Sequence, residues 1–314
     1  MRSIGESRLL QKLLTDYEES CRRDGTPEEL ALQHLRELFE DPEIGRENIY
    51  PNNAMDYLRA RRSHECRHCC PGREKCPHRG YLHDIVVSEA DGKRLYVVQP
   101  RRCPEFDGEL REAGVSRLLA QSRIPESHRH CSFDNYRTGG LKTDVKAAKG
   151  IAGECAEDGT WLCLCGRGTG TGKTHLAVAL LKARIAKGES GIFVNAGELY
   201  GMLHAALAAK QVEGAIATYT RPKCLVVDDI GVQHDTEWFG GQLYRIINTR
   251  HSNGLQTVVT SNARTLSDLS EMCGSHGDRI VSRLTELAAW FEIAADDYRK
   301  IKGRQRLLDQ GGVG

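Results

Sequence analysis

Between Trp161 and Leu181 the chain reads W-L-C-L-C-G-R-G-T-G-T-G-K-T-H-L-A-V-A-L-L, which sets Gly168, Gly170 and Gly172 directly before Lys173 and Thr174. Glycines permit the backbone angles that turn successive N–H groups inward, and at the start of a helix such groups make a nest for anions. The expected lining is Gly168, Thr169, Gly170, Thr171, Gly172, Lys173, Thr174 and His175. In this arrangement Lys173 reaches the β- and γ-phosphates of ATP, and the Thr174 hydroxyl holds a Mg2+ ion bridging them. The usual pattern has a glycine five residues before the glycine of G-K-T, where this chain has Arg167, with Gly166 one residue earlier. Either the loop carries one extra residue or Gly168 does the first glycine's work.

Two carboxylates follow at the end of C-L-V-V-D-D-I-G, 55 residues after Lys173 (228 minus 173). Asp228 is suited to holding Mg2+ through water, and Asp229 to orienting or deprotonating the attacking water. A further apolar run, T-V-V-T-S-N, ends at Asn262, whose neutral amide suits a sensor of the γ-phosphate or, more simply, a turn at a strand end.

A different chemistry is suggested between residues 63 and 108, where H-E-C-R-H-C-C-P-G-R-E-K-C-P-H is followed by R-R-C-P. Cys66, Cys69, Cys70, Cys76 and Cys103 offer five thiols where a closed tetrahedral Zn2+ site needs four, so one of Cys69 and Cys70 is spare. His64, His68, His78 and His83 are alternative ligands. Such a site stabilises a segment too poor in apolar residues to fold alone. The seven Lys and Arg from Arg59 to Arg79 suit either phosphates or a solvated face.

The elements that must position these groups are legible in outline. Trp161 to Cys165 is a short apolar run without helical periodicity, as in a strand buried on both faces, with Cys163 and Cys165 as small core residues. After it the sequence predicts a helix from Thr174 to Lys187, a strand from Ile192 to Asn195, a helix from Glu198 to Lys210 and a strand from Cys224 to Asp228. This alternation is that of a doubly wound α/β domain with a parallel sheet. Upstream, Leu10, Leu13, Leu14, Tyr17 and Cys21 share one helical face that Gly25 can end, and Thr26, Pro27 and Glu29 start a second helix with Leu32, Leu35, Leu38 and Phe39 as its stripe. These helices either bury each other or dock a partner.

The 314 residues leave room for two domains, and 44 Lys and Arg against 43 Asp and Glu exclude a global field that would draw the chain to nucleic acid or membrane. Residues 1–25 are too charged for a signal peptide and no apolar run spans a bilayer, so the reading is a cytoplasmic protein without membrane contact.

The runs D-D-I-G-V-Q-H-D-T-E-W, L-Y-R-I-I-N-T-R-H, T-V-V-T-S-N and G-D-R-I-V-S-R-L, in this order, resemble the AAA+ ATPases of the DnaC and IstB family from about Ile124 to Arg299. The cysteine cluster is similar to the zinc-binding N-terminal domain of DnaI-type bacterial helicase loaders, a part that IstB-type transposition helpers lack. The resemblance implies an AAA+ P-loop NTPase domain without a full helical lid, since only 31 residues follow Arg283 (314 minus 283), preceded by a small helical and zinc-binding region. It implies domains at 1–62 (helical), 63–108 (zinc-binding), 109–124 (connecting helix) and 125–314 (ATPase). Arg283 then matches the arginine finger offered to a neighbouring subunit's ATP, with Arg279 its companion and Asn262 the sensor. Gln233, where the family often has an acid, is a departure.

The implied activity is Mg2+-dependent ATP hydrolysis by a homo-oligomer that loads the replicative DNA helicase onto single-stranded DNA. An IstB-like transposition helper and a nucleotide-gated adaptor with negligible turnover are the alternatives. The basic run from Arg299 to Arg306 is either a DNA contact or a solvated end.

Overall fold

A computed structural model of the chain describes residues 25–49, 54–66, 72–76, 78–90, 92–137, 143–231, 236–294 and 298. The expected helix through Leu10 to Cys21, the thiols of Cys69 and Cys70, Gln233 and the basic run from Arg299 to Arg306 lie outside these residues. The chain divides into two compact units after Glu112.

In the first unit the capping signals work as read. Helix α1 (Pro27–Phe39) begins where the Thr26 hydroxyl accepts from the Glu29 amide and the Glu29 carboxylate accepts from the Thr26 amide at 2.8 Å. It ends at Glu40 in the left-handed region, just before Asp41-Pro42. Ala31, Leu32 and Leu35 of α1 form a small core with Ala54 and Tyr57 of α2 (Ala54–Cys66), Ile44, Ile49 and Tyr96. Two runs rich in β-branched residues, one holding Ile85, Val86 and Val87 and the other Leu95, Tyr96, Val97 and Val98, form an antiparallel hairpin, β1 (Tyr81–Ala90) and β2 (Lys93–Arg102).

Helix α3 (Pro104–Gln121) follows, starting at a first-turn proline with Glu105 and Asp107 beside it. The second unit then runs α4 (Thr143–Asp158), β3 (Trp161–Cys165), α5 (Lys173–Ala186), β4 (Gly191–Asn195), α6 (Ala196–Ala208), α7 (Val212–Thr220) and β5 (Cys224–Ile230). It continues with α8 (Thr236–Ser252), β6 (Gln256–Ser261), α9 (Leu266–Met272), α10 (Gly277–Leu287) and β7 (Ala288–Glu292). The five strands make one parallel sheet in the order β4-β5-β6-β3-β7. Trp161 to Cys165 and Gln256 to Ser261 are wholly buried, which is why Trp161 to Cys165 reads as a continuous apolar run instead of alternating. This is the α/β fold with a doubly wound parallel sheet that the sequence predicted. Strand β3 lies between β6 and β7, while the chain leaving it joins the far edge of the sheet at β4. The order therefore reverses beside β3, and in open α/β sheets ligands bind outside the carboxyl ends of the strands at such a point.

One side chain ties the opposite end of the sheet. Arg250, at the end of α8, is fully buried. Its guanidinium donates to Thr257 Oγ1 (3.0 Å) and to the carbonyls of Tyr219 (2.9 Å), Pro222 (2.8 Å), Lys223 (3.4 Å) and Gln256. Burial lowers its pKa to about 10, still well above neutrality. Removing the guanidinium strands several buried acceptors, each costing about 1–3 kcal/mol. Arg250→Ala is therefore expected to destabilise the second unit by roughly 3 kcal/mol or more, read as a lowered urea midpoint. Among the described residues no helix is long and apolar enough to cross a membrane.

Candidate nucleotide site

The glycine-rich loop leaves β3 at the sheet's reversal point. Gly166, Gly168, Gly170 and Gly172 all have positive φ, at 129°, 117°, 73° and 92°, which other residues adopt only with strain. Gly166 also lacks space, since a Cβ there would meet the Ile293 carbonyl oxygen at 2.6 Å. Both of the glycines that the sequence left as alternatives are thus used. Arg167 between them is exposed.

Helix α5 starts at Gly172 with no side-chain cap and no acid in its first turn, whereas α1, α6 and α9 begin with Thr26, Asn195 and Thr265 as caps and carry acids there. The free N–H groups at that terminus and the Lys173 ammonium favour an anion, so the residues present fit a phosphate chain. The ammonium donates to the carbonyls of Gly166 (3.0 Å) and Gly168 (2.9 Å), to Thr171 Oγ1 (3.4 Å) and to Asn262 Oδ1 (3.2 Å). Burial lowers its pKa, with Asp229 foremost among the charges that oppose the shift.

Both carboxylates of D-D reach this loop because β5 is irregular there. In a regular strand, neighbouring side chains point to opposite faces. Here the register of β5 on β6 shifts between Val227 and Ile230, and Asp229 has φ 60°, a conformation Asp tolerates better than most residues. Asp228, itself buried, accepts from Thr174 Oγ1 (2.9 Å) and from Thr260 Oγ1 (2.7 Å). Asp229 accepts from Asn262 Nδ2 (2.8 Å). A continuous polar chain results, from Lys173 through Asn262 to Asp229 on one side and from Thr174 to Asp228 on the other. The hydroxyl and carboxylate oxygens of Thr174 and Asp228 are the hard donors that suit Mg2+.

Burial raises the Asp229 carboxyl above the usual carboxylate range, the Asp228 charge adds to the rise, and Lys173 opposes it. For a carboxyl whose folded pKa is raised, the unfolded chain gives up its proton first as pH rises. Ionisation within the fold then costs stability, and the cost is complete above the folded pKa. Asp229→Asn removes that cost and keeps an oxygen for the Asn262 amide. The variant is expected to melt at a higher temperature than wild type at neutral pH, with the gain fading as pH falls through the carboxyl titration. Scanning calorimetry across that range checks it.

The remaining expected residues are placed differently. The His175 imidazole shares a hydrogen bond with the Ser132 carbonyl (2.9 Å) and packs edge-on against His130 and Tyr136. It serves the segment before α4 through its side chain. Arg283, on α10, donates to Asn248 Oδ1 (3.2 Å) and pairs with Glu286 (3.5 Å), and among the described residues it makes no bond to the glycine-rich loop. Arg279 lies over the Tyr244 ring at 5.9 Å. Thr169 lies in the loop and Thr171 is buried within it. Of the expected zinc ligands, Cys66 and Cys76 are half-buried and Cys103 is buried. Among the described residues no group of three or more His, Cys, Asp or Glu is arranged to hold a metal ion.

Two residues beside the loop escaped the sequence reading. Tyr136 is buried against Gly172, where an added Cβ would meet its ring at 2.7 Å, and its hydroxyl has no hydrogen-bond partner among the described residues. Thr260 bonds both Asp228 and the Asp229 amide. An aromatic at the end of F-D-N-Y and a hydroxyl two residues before Asn262 were the only signals of either.

The family described as IstB-like ATP binding protein matches residues 111–306, more than half of the chain. The uncharacterized protein YdaV of Escherichia coli (strain K12) is 30% identical over 188 residues, covering 59% of this chain and 74% of YdaV. The replicative helicase loader DnaC of Buchnera aphidicola subsp. Acyrthosiphon pisum (strain APS) is 28% identical, covering 61% of this chain and 78% of that one. A crystal structure of the DnaC helicase loader superposes with a TM-score of 0.48 at 24% identity, covering 54% of this chain and 99% of that chain.

Proposed function

We propose that this chain, which belongs to the IstB-like ATP binding protein family, is a Mg2+-dependent ATPase of DNA replication that loads the replicative helicase onto single-stranded DNA. The observation that carries the ATPase reading is the polar chain joining Lys173, Asn262, Asp229, Asp228 and Thr174 at the sheet's reversal point. The loading role is drawn from the relatives named as replicative helicase loaders.

In this reading the loop amides and Lys173 bind the triphosphate, and Thr174 and Asp228 would hold Mg2+, which would supply charge neutralisation at the phosphates. Asp229 orients the attacking water and takes its proton. Its raised pKa suits a base, because a carboxylate that binds a proton more tightly accepts one more readily. Asn262, bonded to both Asp229 and Lys173, reports the γ-phosphate to the base. Arg283 completes the pocket of a neighbouring subunit in a homo-oligomer. The first 108 residues supply the helical and cysteine-bearing parts, whose described residues are not arranged to hold Zn2+.

Affinity capture of the tagged protein with ATP, followed by identification of the bound proteins, tests the loading role. A replicative helicase retained with ATP supports it, and a transposase in its place moves the function to the transposition helpers. Steady-state hydrolysis with and without single-stranded DNA tests turnover. Nucleotide binding with negligible turnover under both conditions would leave an adaptor.

A further inference from the structure

Strand pairing fails where the two carboxylates sit, and a side chain replaces it. The register of β5 on β6 is regular up to Val227 with Val259 and resumes only at Ile230 with Ser261. Within that gap the Asp229 amide donates to the Thr260 hydroxyl at 2.9 Å, and the same hydroxyl donates to Asp228 Oδ1 at 2.7 Å. A hydroxyl has one proton. Because its oxygen accepts from Asp229, the proton is committed to Asp228, and the two bonds define each other. Thr260 is 1% exposed, so no bulk water competes for either bond. Asp228 Oδ1 thereby receives two hydroxyl donors, Thr260 from β6 and Thr174 from α5.

We propose that Thr260 is a positioning residue of the nucleotide site, whose hydroxyl orients the Asp228 carboxylate for a divalent cation and holds Asp229 in the left-handed turn that aims its carboxylate at Asn262. The proposal rests on the Mg2+-nucleotide reading given above. Thr260 touches neither phosphate nor cation in this role. Its effect is therefore on what Mg2+ adds to binding, and little on the grip of the glycine-rich loop and Lys173 on the phosphates. A residue that merely filled the sheet would show no such split.

The test uses the full chain, an ATP analogue carrying a fluorescent ribose label, and either Mg2+ or EDTA. Thr260→Val keeps the shape and β-branching and deletes both bonds, whereas Thr260→Ser keeps both bonds. Wild type and Thr260→Ser are expected to bind more tightly with Mg2+ than with EDTA. In Thr260→Val that gain should shrink about tenfold, the scale of one charge-assisted hydrogen bond, while binding in EDTA stays within about twofold of wild type. An undiminished Mg2+ gain in Thr260→Val, or the same loss in Thr260→Ser, overturns the proposal while leaving the nucleotide site standing. A wild-type chain that binds no nucleotide in either condition overturns the ATPase reading itself. Amide exchange in the wild-type protein provides a measurement independent of any variant's folding. The Asp229 N–H should exchange slowly, and fast exchange would remove the clamp.

Discussion

Lys173→Ala protein is expected to lose ATP binding while keeping its fold. The Lys173 side chain is buried, and its ammonium is bonded into the loop. Hydrogen bonds to charged groups contribute roughly 1.5–3 kcal/mol each. Losing one or two of them to a triphosphate weakens binding on the order of 100-fold or more. The fold should survive because the ammonium bonds only loop carbonyls, Thr171 and Asn262, while the apolar core of the second unit does not involve Lys173. The free carbonyls of Gly166 and Gly168 loosen the loop without opening the sheet. Equilibrium binding of labelled ATP, with circular dichroism as the folding control, checks both parts. A variant that binds ATP as tightly as wild type would place the nucleotide elsewhere.

Arg283→Ala is expected to slow hydrolysis in the assembled protein by roughly 10³ to 10⁵, the effect of an arginine finger, because the planar guanidinium stabilises charge spreading over the transferring phosphoryl. Within one chain Arg283 is held at Asn248 and Glu286, a partly exposed pairing worth about 1 kcal/mol or less. The two roles predict different results on mixing. Arg283→Ala supplies an intact pocket and Lys173→Ala an intact finger, so neither variant should hydrolyse ATP alone, yet their mixture should regain activity. Normal hydrolysis by assembled Arg283→Ala would leave only the local ion pair. His251 Nε2 also lies near Glu286, at 3.0 Å.

The parts of this site that were legible from the sequence are those whose chemistry is local. Gly168 to Thr174 announce themselves because a run of glycines before Lys and Thr has few other uses, and Asp228-Asp229 because an apolar run ends in two acids. The buried strands from Trp161 and Cys224 were legible because a sheet covered on both faces leaves no alternation to confuse with a helix. Thr260 and Tyr136 were not. Their roles depend on contacts across strands or with a loop far along the chain, and Thr in a strand or Tyr before a helix is unremarkable alone. The left-handed turn at Asp229 was equally hidden, because D-D at the end of a strand is compatible with a regular ladder. Arg250 stood within L-Y-R-I-I-N-T-R-H as part of a family pattern, and only the structure gives that arginine its physical reason.

Arg250 meets no carboxylate, and this sets how the second unit responds to acid. A buried ion pair fails when its acid takes up a proton. The Arg250 tie has no such half. Its acceptors are carbonyl dipoles and one hydroxyl, none of which titrates, and its own charge persists at every pH below about 10. Acidification therefore leaves the joint between α7, α8 and the start of β6 fastened while carboxylate-dependent contacts elsewhere let go. The Asp229 carboxyl, whose pKa burial raises, is among the groups that acid neutralises, so the proposed chemistry should be lost at low pH before that joint.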